Sequence, residues 1–175
     1  MLVKFESPLE LRKELLIKSA IDARNTAFSP ISNSQVGAAV LVYYDGRFAN
    51  KNESLYLTQI FSGSNIEFAR SQNIHAEWIA MSEALKYLTK KSFPLNTYDA
   101  NGVKIKMCEG LEDIVAIAIV NNAGIPGCGS CRQMLYEINP DMQVLGVLPS
   151  GEVKVDKQLR ELYPNAYRSN DWLKI

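Results

Sequence analysis

An uninterrupted apolar run, IVAIAIV at residues 114–120, constrains the fold of this chain more than any other stretch of the sequence. It is far shorter than the roughly 18 residues that a membrane span requires. The polar residues Asp113 and Asn121 bound the run, and no polar residue lies inside it. Such a run is typical of a strand buried on both faces, as in a sheet covered by helices. The run therefore predicts an α/β fold.

Local patterns predict further helices and strands around this strand. Apolar spacing or capping residues indicate four helices, over residues 8–25, 75–88, 128–138 and a short segment that Asp156 caps and Pro164 ends. β-Branched runs and turn signals indicate four more strands, at 35–44, between 47 and 61, at 142–148 and at 152–155. Residues 90–110 are polar and are predicted to form a long loop or an insertion. No repeat or linker divides the chain, so residues 1–175 are predicted to form a single domain.

The charge balance and the N-terminal residues narrow the classes of partner. Nineteen basic and nineteen acidic residues give a formal net charge of zero. Domains that bind nucleic acid usually carry a basic excess, so no nucleic-acid partner is expected. Charged residues interrupt the first sixteen positions, MLVKFESPLELRKELL, which therefore do not have the pattern of a signal peptide. We expect a cytoplasmic protein with no membrane partner.

The rare residues limit the chemistry that the chain can perform. His75 is the single histidine, which excludes every site that needs two imidazoles. The chain has three cysteines, Cys108, Cys128 and Cys131. This odd and sparse set argues against a secreted disulfide framework. In a reduced protein, the C-x-x-C spacing of the last two indicates metal binding or redox activity.

Two local motifs combine into a candidate metal site. His75–Glu77 opens one predicted helix, and Cys128–Cys131 opens another. Two thiolates and one imidazole leave the fourth position of a tetrahedral zinc ion open for water, as in catalytic sites, whereas structural sites have four protein ligands. Cys108 lies outside the usual ligand spacing and is expected to be a buried apolar residue. The positive ends of the two helices are expected to favour the thiolates, and Glu77 is placed to move protons beside the metal.

These motifs and three other segments resemble the cytidine deaminase family. The matching segments share their order along the chain with that family: AFSPISNSQVGAAVLV at 27–42, SGSNIEFA at 62–69, HAEWIAMSEAL at 75–85, CGSCRQMLYEIN at 128–139 and LRELYPNAY at 159–167. The H-x-E and C-x-x-C spacings are those of zinc deaminases. The resemblance implies a three-layer α/β/α fold with a mixed five-stranded sheet.

The resemblance also implies roles for individual residues. One Zn²⁺ per chain would be held by His75, Cys128 and Cys131, with Glu77 as the proton shuttle. Two residues with the spacing Asn-x-Glu, Asn65 and Glu67, would bind ribose hydroxyls, and the main chain at Ala76 would hold the pyrimidine edge. The reaction would convert cytidine or deoxycytidine to uridine or deoxyuridine in pyrimidine salvage, with loss of ammonia. A carboxylate at the sugar repels a phosphate, which favours a nucleoside over a nucleotide. Family members of this size form homo-oligomers, so a tetramer is favoured and a dimer is the alternative.

Some residues depart from the family pattern and leave alternatives open. Ser34 stands where an aromatic residue usually packs on the base, and Gly127 stands where a proline usually precedes the first thiolate. Both departures concern substrate identity, so a modified aminopyrimidine nucleoside or a nucleoside antibiotic is an alternative substrate. A catalytically silent zinc module for assembly is disfavoured by Glu77, and a nucleic-acid deaminase by the net charge. The sequence context of the C-x-x-C motif disfavours a thiol–disulfide oxidoreductase.

Overall fold

The computed structural model describes residues 8–45, 56–69, 72–92 and 111–167. Four helices are present in these ranges: α1 (Pro8–Arg24), α2 (Ala76–Ser92), α3 (Gly129–Ile138) and α4 (Leu159–Leu162). Seven strands accompany them: β1 (Gly37–Asp45), β2 (Tyr56–Ser64), β3 (Ile66–Ala69), β4 (Gln72–Ile74), β5 (Ile114–Val120), β6 (Gln143–Val147) and β7 (Val153–Gln158). A 3₁₀ turn, Leu111–Asp113, leads into β5.

Five of the strands form one mixed sheet in the order β2-β1-β5-β6-β7. β5 pairs in parallel with β6, and the other three pairings are antiparallel. β3 and β4 form a separate two-stranded hairpin, whose first residue is bridged to Phe28. The predicted central strand, Ile114–Val120, has the predicted bounds and lies in the middle of the sheet.

Side chains on the two faces of the sheet pack into two separate apolar layers. On β1, Val40 and Val42 belong to the layer beneath α2, α3 and α4, whereas Ala39 and Leu41 belong to the layer beneath α1. β5 alternates in the same way, so both of its faces are buried. The predicted three-layer α/β/α fold with a mixed five-stranded sheet is therefore confirmed.

Glycine allows a close approach where α1 crosses β1. A Cβ atom added at Gly37 would lie 2.1 Å from the carbonyl oxygen of Ala20 and 2.4 Å from the main-chain nitrogen of Arg24. Both neighbours are main-chain atoms, so any larger residue would push the helix away from the sheet. The glycine thus sets the spacing of the α1 layer.

The element predictions hold, with two differences in the elements themselves. α2 continues to Ser92, so residues 90–92 are helical and not part of the predicted loop. Residues 93–110, with Cys108, lie outside the described residues. The hairpin of β3 and β4 was not predicted. No helix in the described ranges is both long and apolar enough to cross a membrane.

The prediction that Asp156 caps the last helix is wrong. Asp156 lies inside β7, and its carboxylate accepts hydrogen bonds from Lys13 on α1, at 2.6 Å, and from Gln143 on β6. Burial raises the pKa of Asp156, but these two bonds outweigh burial and lower it. α4 is capped by Gln158, which forms a capping box with Glu161.

Candidate functional site

The first turns of α2 and α3 meet beside the carboxyl end of β5, at the edge of a cavity of about 450 Å³. In open α/β sheets, ligand sites form outside the carboxyl ends of the strands, where loops and helix N-termini converge. Most of the predicted site residues line this cavity: Asn65, Glu67, His75, Ala76, Glu77 and Cys128. The structure therefore brings together residues that are far apart in the sequence.

The three predicted metal ligands form a compact cluster. Cys128 Sγ lies 3.5 Å from His75 Nδ1 and 3.5 Å from Cys131 Sγ, and Cys131 Sγ lies 3.3 Å from His75 Nδ1. Cys131 is fully buried, whereas Cys128 is exposed at the N-cap of α3. In the described parts of the chain, this is the one group of three such residues that could hold a metal ion.

The spacing of these three atoms fits a tetrahedral zinc ion. With Zn–S bonds of about 2.3 Å and Zn–N bonds of about 2.0–2.1 Å, tetrahedral geometry requires about 3.8 Å between the sulfurs and about 3.6 Å from sulfur to nitrogen. The observed distances of 3.3–3.5 Å are within a few tenths of an ångström of these values. The donor set of two sulfurs and one imidazole nitrogen also suits zinc.

The protonation of Cys131 differs from the sequence-based expectation. The positive end of α3 was expected to favour the thiolate, but burial raises the pKa of Cys131 above its usual range. The Glu77 carboxylate and the Cys128 sulfur raise this pKa further. Without a cation, the site therefore favours the thiol at Cys131, and a bound metal must displace its proton.

Glu77 lies in the first turn of α2, two residues after His75, and is 3% exposed. Its Oε1 lies 3.1 Å from the position that a Cβ atom would take at Gly127. Gly127 has a φ of +79°, in the left-handed region that favours glycine. The carboxylate therefore lies against the space that a side chain at Gly127 would take, which Ile119 of β5 and Cys131 also border.

Asn65 and Glu67 also line the cavity, and both hold one loop through hydrogen bonds. Asn65 Nδ2 donates to the Ser34 carbonyl at 2.8 Å, and Asn65 Oδ1 accepts from the Val36 N–H at 2.8 Å. Glu67 accepts from the main-chain N–H groups of Ile31 and Ser32 and from the Ser32 hydroxyl. The Ser32 hydroxyl, followed by these N–H groups, lowers the pKa of Glu67 below its usual range. Both side chains are buried, at 8% and 4% exposure.

Several cavity residues were missed by the sequence analysis. The loop after β5 contributes Asn121, whose side-chain amide donates to the Ile125 carbonyl at 2.7 Å and accepts from the Ile125 N–H at 3.0 Å. The available signal was the polar segment Asn121–Gly124 directly after a buried strand, which in an α/β fold marks a loop at the ligand-binding edge. Ser34, the departure from the family pattern, lines the cavity as well.

Two solved structures that share this fold are cytidine deaminases. The enzyme from Burkholderia pseudomallei is 27% identical, with a TM-score of 0.61 over 87% of this chain and 97% of that chain. The enzyme from Mycobacterium tuberculosis is 20% identical, with a TM-score of 0.55 over 89% of this chain and 96% of that one, and supports the fold alone. No protein-family model matches the chain. The fold and the site together define a hydrolytic deaminase.

A relative of known sequence is more similar still. A cytidine deaminase from Halalkalibacterium halodurans is 32% identical over 163 residues, which span 91% of this chain and 96% of the relative. The chain belongs to the cytidine deaminase family. This membership favours a deaminase over the silent zinc module and the oxidoreductase considered from the sequence.

Proposed function

We propose that this protein is a zinc-dependent enzyme that deaminates cytidine and deoxycytidine by hydrolysis. The observation that carries the proposal is the His75, Cys128 and Cys131 cluster with the Glu77 carboxylate beside it, at the edge of the cavity. The reaction adds one water to the base and releases one ammonia, which leaves uridine or deoxyuridine.

The three clustered residues would hold one Zn²⁺ per chain and leave one coordination position open. When bound, Zn²⁺ lowers the pKa of water to about 7 and so supplies a nucleophile at neutral pH. His75 and Cys128 line the cavity, so a metal ion that they held would lie next to a bound substrate. The main chain at Ala76, which is fully buried and begins α2, would hold the pyrimidine edge.

Glu77 would carry the protons. Its carboxylate takes a proton from the attacking water and delivers it to the ring nitrogen N3, and a second transfer protonates the amino group, which leaves as ammonia. A positioned general acid–base residue of this kind contributes about 10²–10⁴ in rate. Its burial excludes bulk water from the transfer path.

A substitution at Gly127 tests the position of the Glu77 carboxylate. Gly127→Ala places a methyl group 3.1 Å from Glu77 Oε1 and forces alanine into a positive φ. We expect kcat to fall about 10- to 100-fold because the shuttle is displaced by a fraction of an ångström or more. Gly129→Ala is the matched control, since nothing lies within 4 Å of the added atom. Zinc content and thermal unfolding are measured on both variants, and equal kcat in the two would contradict the placement of Glu77.

The charge of the cavity supports a nucleoside rather than a nucleotide. Among the described residues that line it, there are two carboxylates, Glu67 and Glu77, and no lysine or arginine. The 5′-phosphate of a nucleotide would therefore meet no cation among these residues to offset its desolvation, and it would be repelled by Glu67 if that residue binds the sugar.

The proposal is tested by ammonia release from a panel of cytidine, deoxycytidine, cytidine 5′-monophosphate, cytosine and base-modified cytidines. We expect kcat/KM for the two nucleosides to exceed kcat/KM for the monophosphate by at least about 100-fold, because a phosphate charge without a partner costs a few kcal/mol on binding. Glu67→Gln is expected to lower kcat/KM for the nucleosides, with a smaller effect on cytosine. Equal turnover of nucleoside and monophosphate would count against the sugar-binding role of Glu67.

The remaining sequence predictions belong to the same proposal: one domain over residues 1–175, a cytoplasmic location and a homo-oligomer, with a tetramer favoured over a dimer. Two large apolar residues next to cavity residues in the sequence remain exposed in the single chain, Phe68 at 65% and Trp78 at 46%. Phe28, whose carbonyl accepts the N–H of Glu67, is 57% exposed. Exposed apolar residues grouped in this way support a subunit interface near the site. Light scattering of the purified protein measures the number of subunits.

A further inference from the structure

The Glu67 carboxylate is held by one short loop. Its Oε2 accepts the main-chain N–H groups of Ile31 at 3.0 Å and Ser32 at 3.1 Å. Its Oε1 accepts the hydroxyl of Ser32, which in turn accepts the N–H of Ser34 at 3.0 Å. Both Glu67 and Ser32 line the cavity. The Ser32 hydroxyl is therefore placed at the end of the carboxylate that an incoming hydroxyl must reach.

The contacts of the two oxygens have different roles. A carboxylate offers about four lone-pair positions, two on each oxygen. The two main-chain bonds fill Oε2 and already fix the direction of the carboxylate. The Ser32 hydroxyl is a side-chain donor on an exposed residue, and a serine side chain can adopt other staggered rotamers. It can leave Oε1 while the main-chain bonds remain, so the orientation of Glu67 does not depend on it.

We propose that Ser32 sets the selectivity for the sugar: in the free protein its hydroxyl holds the lone-pair position of Glu67 Oε1 that faces the cavity, and there it is exchanged for a hydroxyl of the bound sugar. The inference rests on the proposed function, in which Glu67 binds the sugar of a pyrimidine nucleoside. Binding then replaces one hydroxyl-to-carboxylate bond with another of the same type. The sugar hydroxyl therefore adds less to affinity than a hydrogen bond to a free carboxylate would add.

Removal of the Ser32 hydroxyl has an effect that depends on the substrate. In Ser32→Ala, Oε1 loses its donor in the free protein, where it is nearly buried, and regains one only when a sugar hydroxyl binds. A substrate without that hydroxyl does not restore a hydrogen-bond donor to Oε1. The variant should therefore discriminate more strongly between sugars than the natural protein does.

The test compares deoxycytidine with 2′,3′-dideoxycytidine, which differ in the 3′-hydroxyl, the secondary hydroxyl that cytidine and deoxycytidine share. The measured quantity is the ratio of kcat/KM for the two compounds on one preparation, so losses of folded protein cancel. We expect this ratio to rise about tenfold in Ser32→Ala, the size of one hydrogen bond to a charged group. Ser150→Ala, the same change in the turn between β6 and β7, should leave the ratio unchanged.

An unchanged ratio in Ser32→Ala would overturn the exchange, because the hydroxyl would then have no part in sugar binding. A lower ratio would also overturn it, since Ser32 would then support Glu67 instead of competing with the sugar. If the natural protein releases no ammonia from deoxycytidine, the proposed function itself fails, and that outcome is distinct from the other two.

Discussion

Glu77→Gln is expected to lower the deamination rate by at least about 10⁴-fold while zinc stays bound at about one ion per chain. Glutamine has nearly the same size, but an amide cannot accept the proton of the attacking water or return it to the ring nitrogen and the leaving amine. Because two successive transfers depend on this one carboxylate, the loss lies at or beyond the upper end of the usual 10²–10⁴ range for a general acid–base residue.

The measurement pairs zinc stoichiometry with the rate of ammonia release on the same Glu77→Gln preparation. Glu83→Gln is the matched control, since Glu83 lies on the same helix, pairs with Lys86 at the surface and does not line the cavity. Near-normal activity with zinc present would remove Glu77 from the mechanism. Loss of zinc together with activity would make Glu77 a metal ligand.

Cys128→Ala is expected to lose both the metal and the activity. The Cys128 side chain makes no capping hydrogen bond and is exposed, so its removal leaves the packing of α3 intact. It takes away one of only three protein ligands, however, and two ligands hold zinc far more weakly than three. We expect less than about one-tenth of an ion per chain after dialysis against a mild chelator, and at least about a 10³-fold loss of rate.

The zinc content and activity of Cys128→Ala are compared with those of Cys108→Ala, because the sequence gives Cys108 no ligand role. Circular dichroism on both variants separates metal loss from unfolding. Zinc retention in Cys128→Ala equal to that in Cys108→Ala would overturn the ligand assignment. Zinc loss in both variants would mean that Cys108 belongs to the metal site.

The central strand and the metal-ligand cluster were predictable because their signals are local. A seven-residue apolar run has few structural alternatives, and its bounds agree with β5. The single histidine and the C-x-x-C pair left one combination of three soft ligands, and the structure brings that combination together. Both helix starts, at Ala76 and Gly129, lie within one residue of the predicted positions.

Features that depend on tertiary contacts were not predictable in this way. The β3–β4 hairpin has strands of four and three residues, too short for a periodic pattern to show. Asp156 has the residue type of an N-cap but bonds to Lys13, a partner remote in the sequence. The raised pKa of Cys131 arises from burial and from Glu77, neither of which the helix position reveals.

The orientation of His75 makes the imidazole a spectroscopic probe of the site. Nδ1 faces both sulfurs, so a metal bound there fixes the remaining ring proton on Nε2. Since the chain has one histidine, a nitrogen-15 spectrum of the imidazole region contains the signals of this ring alone. The fraction of loaded molecules can then be read from the two ring-nitrogen resonances of uniformly nitrogen-15-enriched protein, without any substitution near the site.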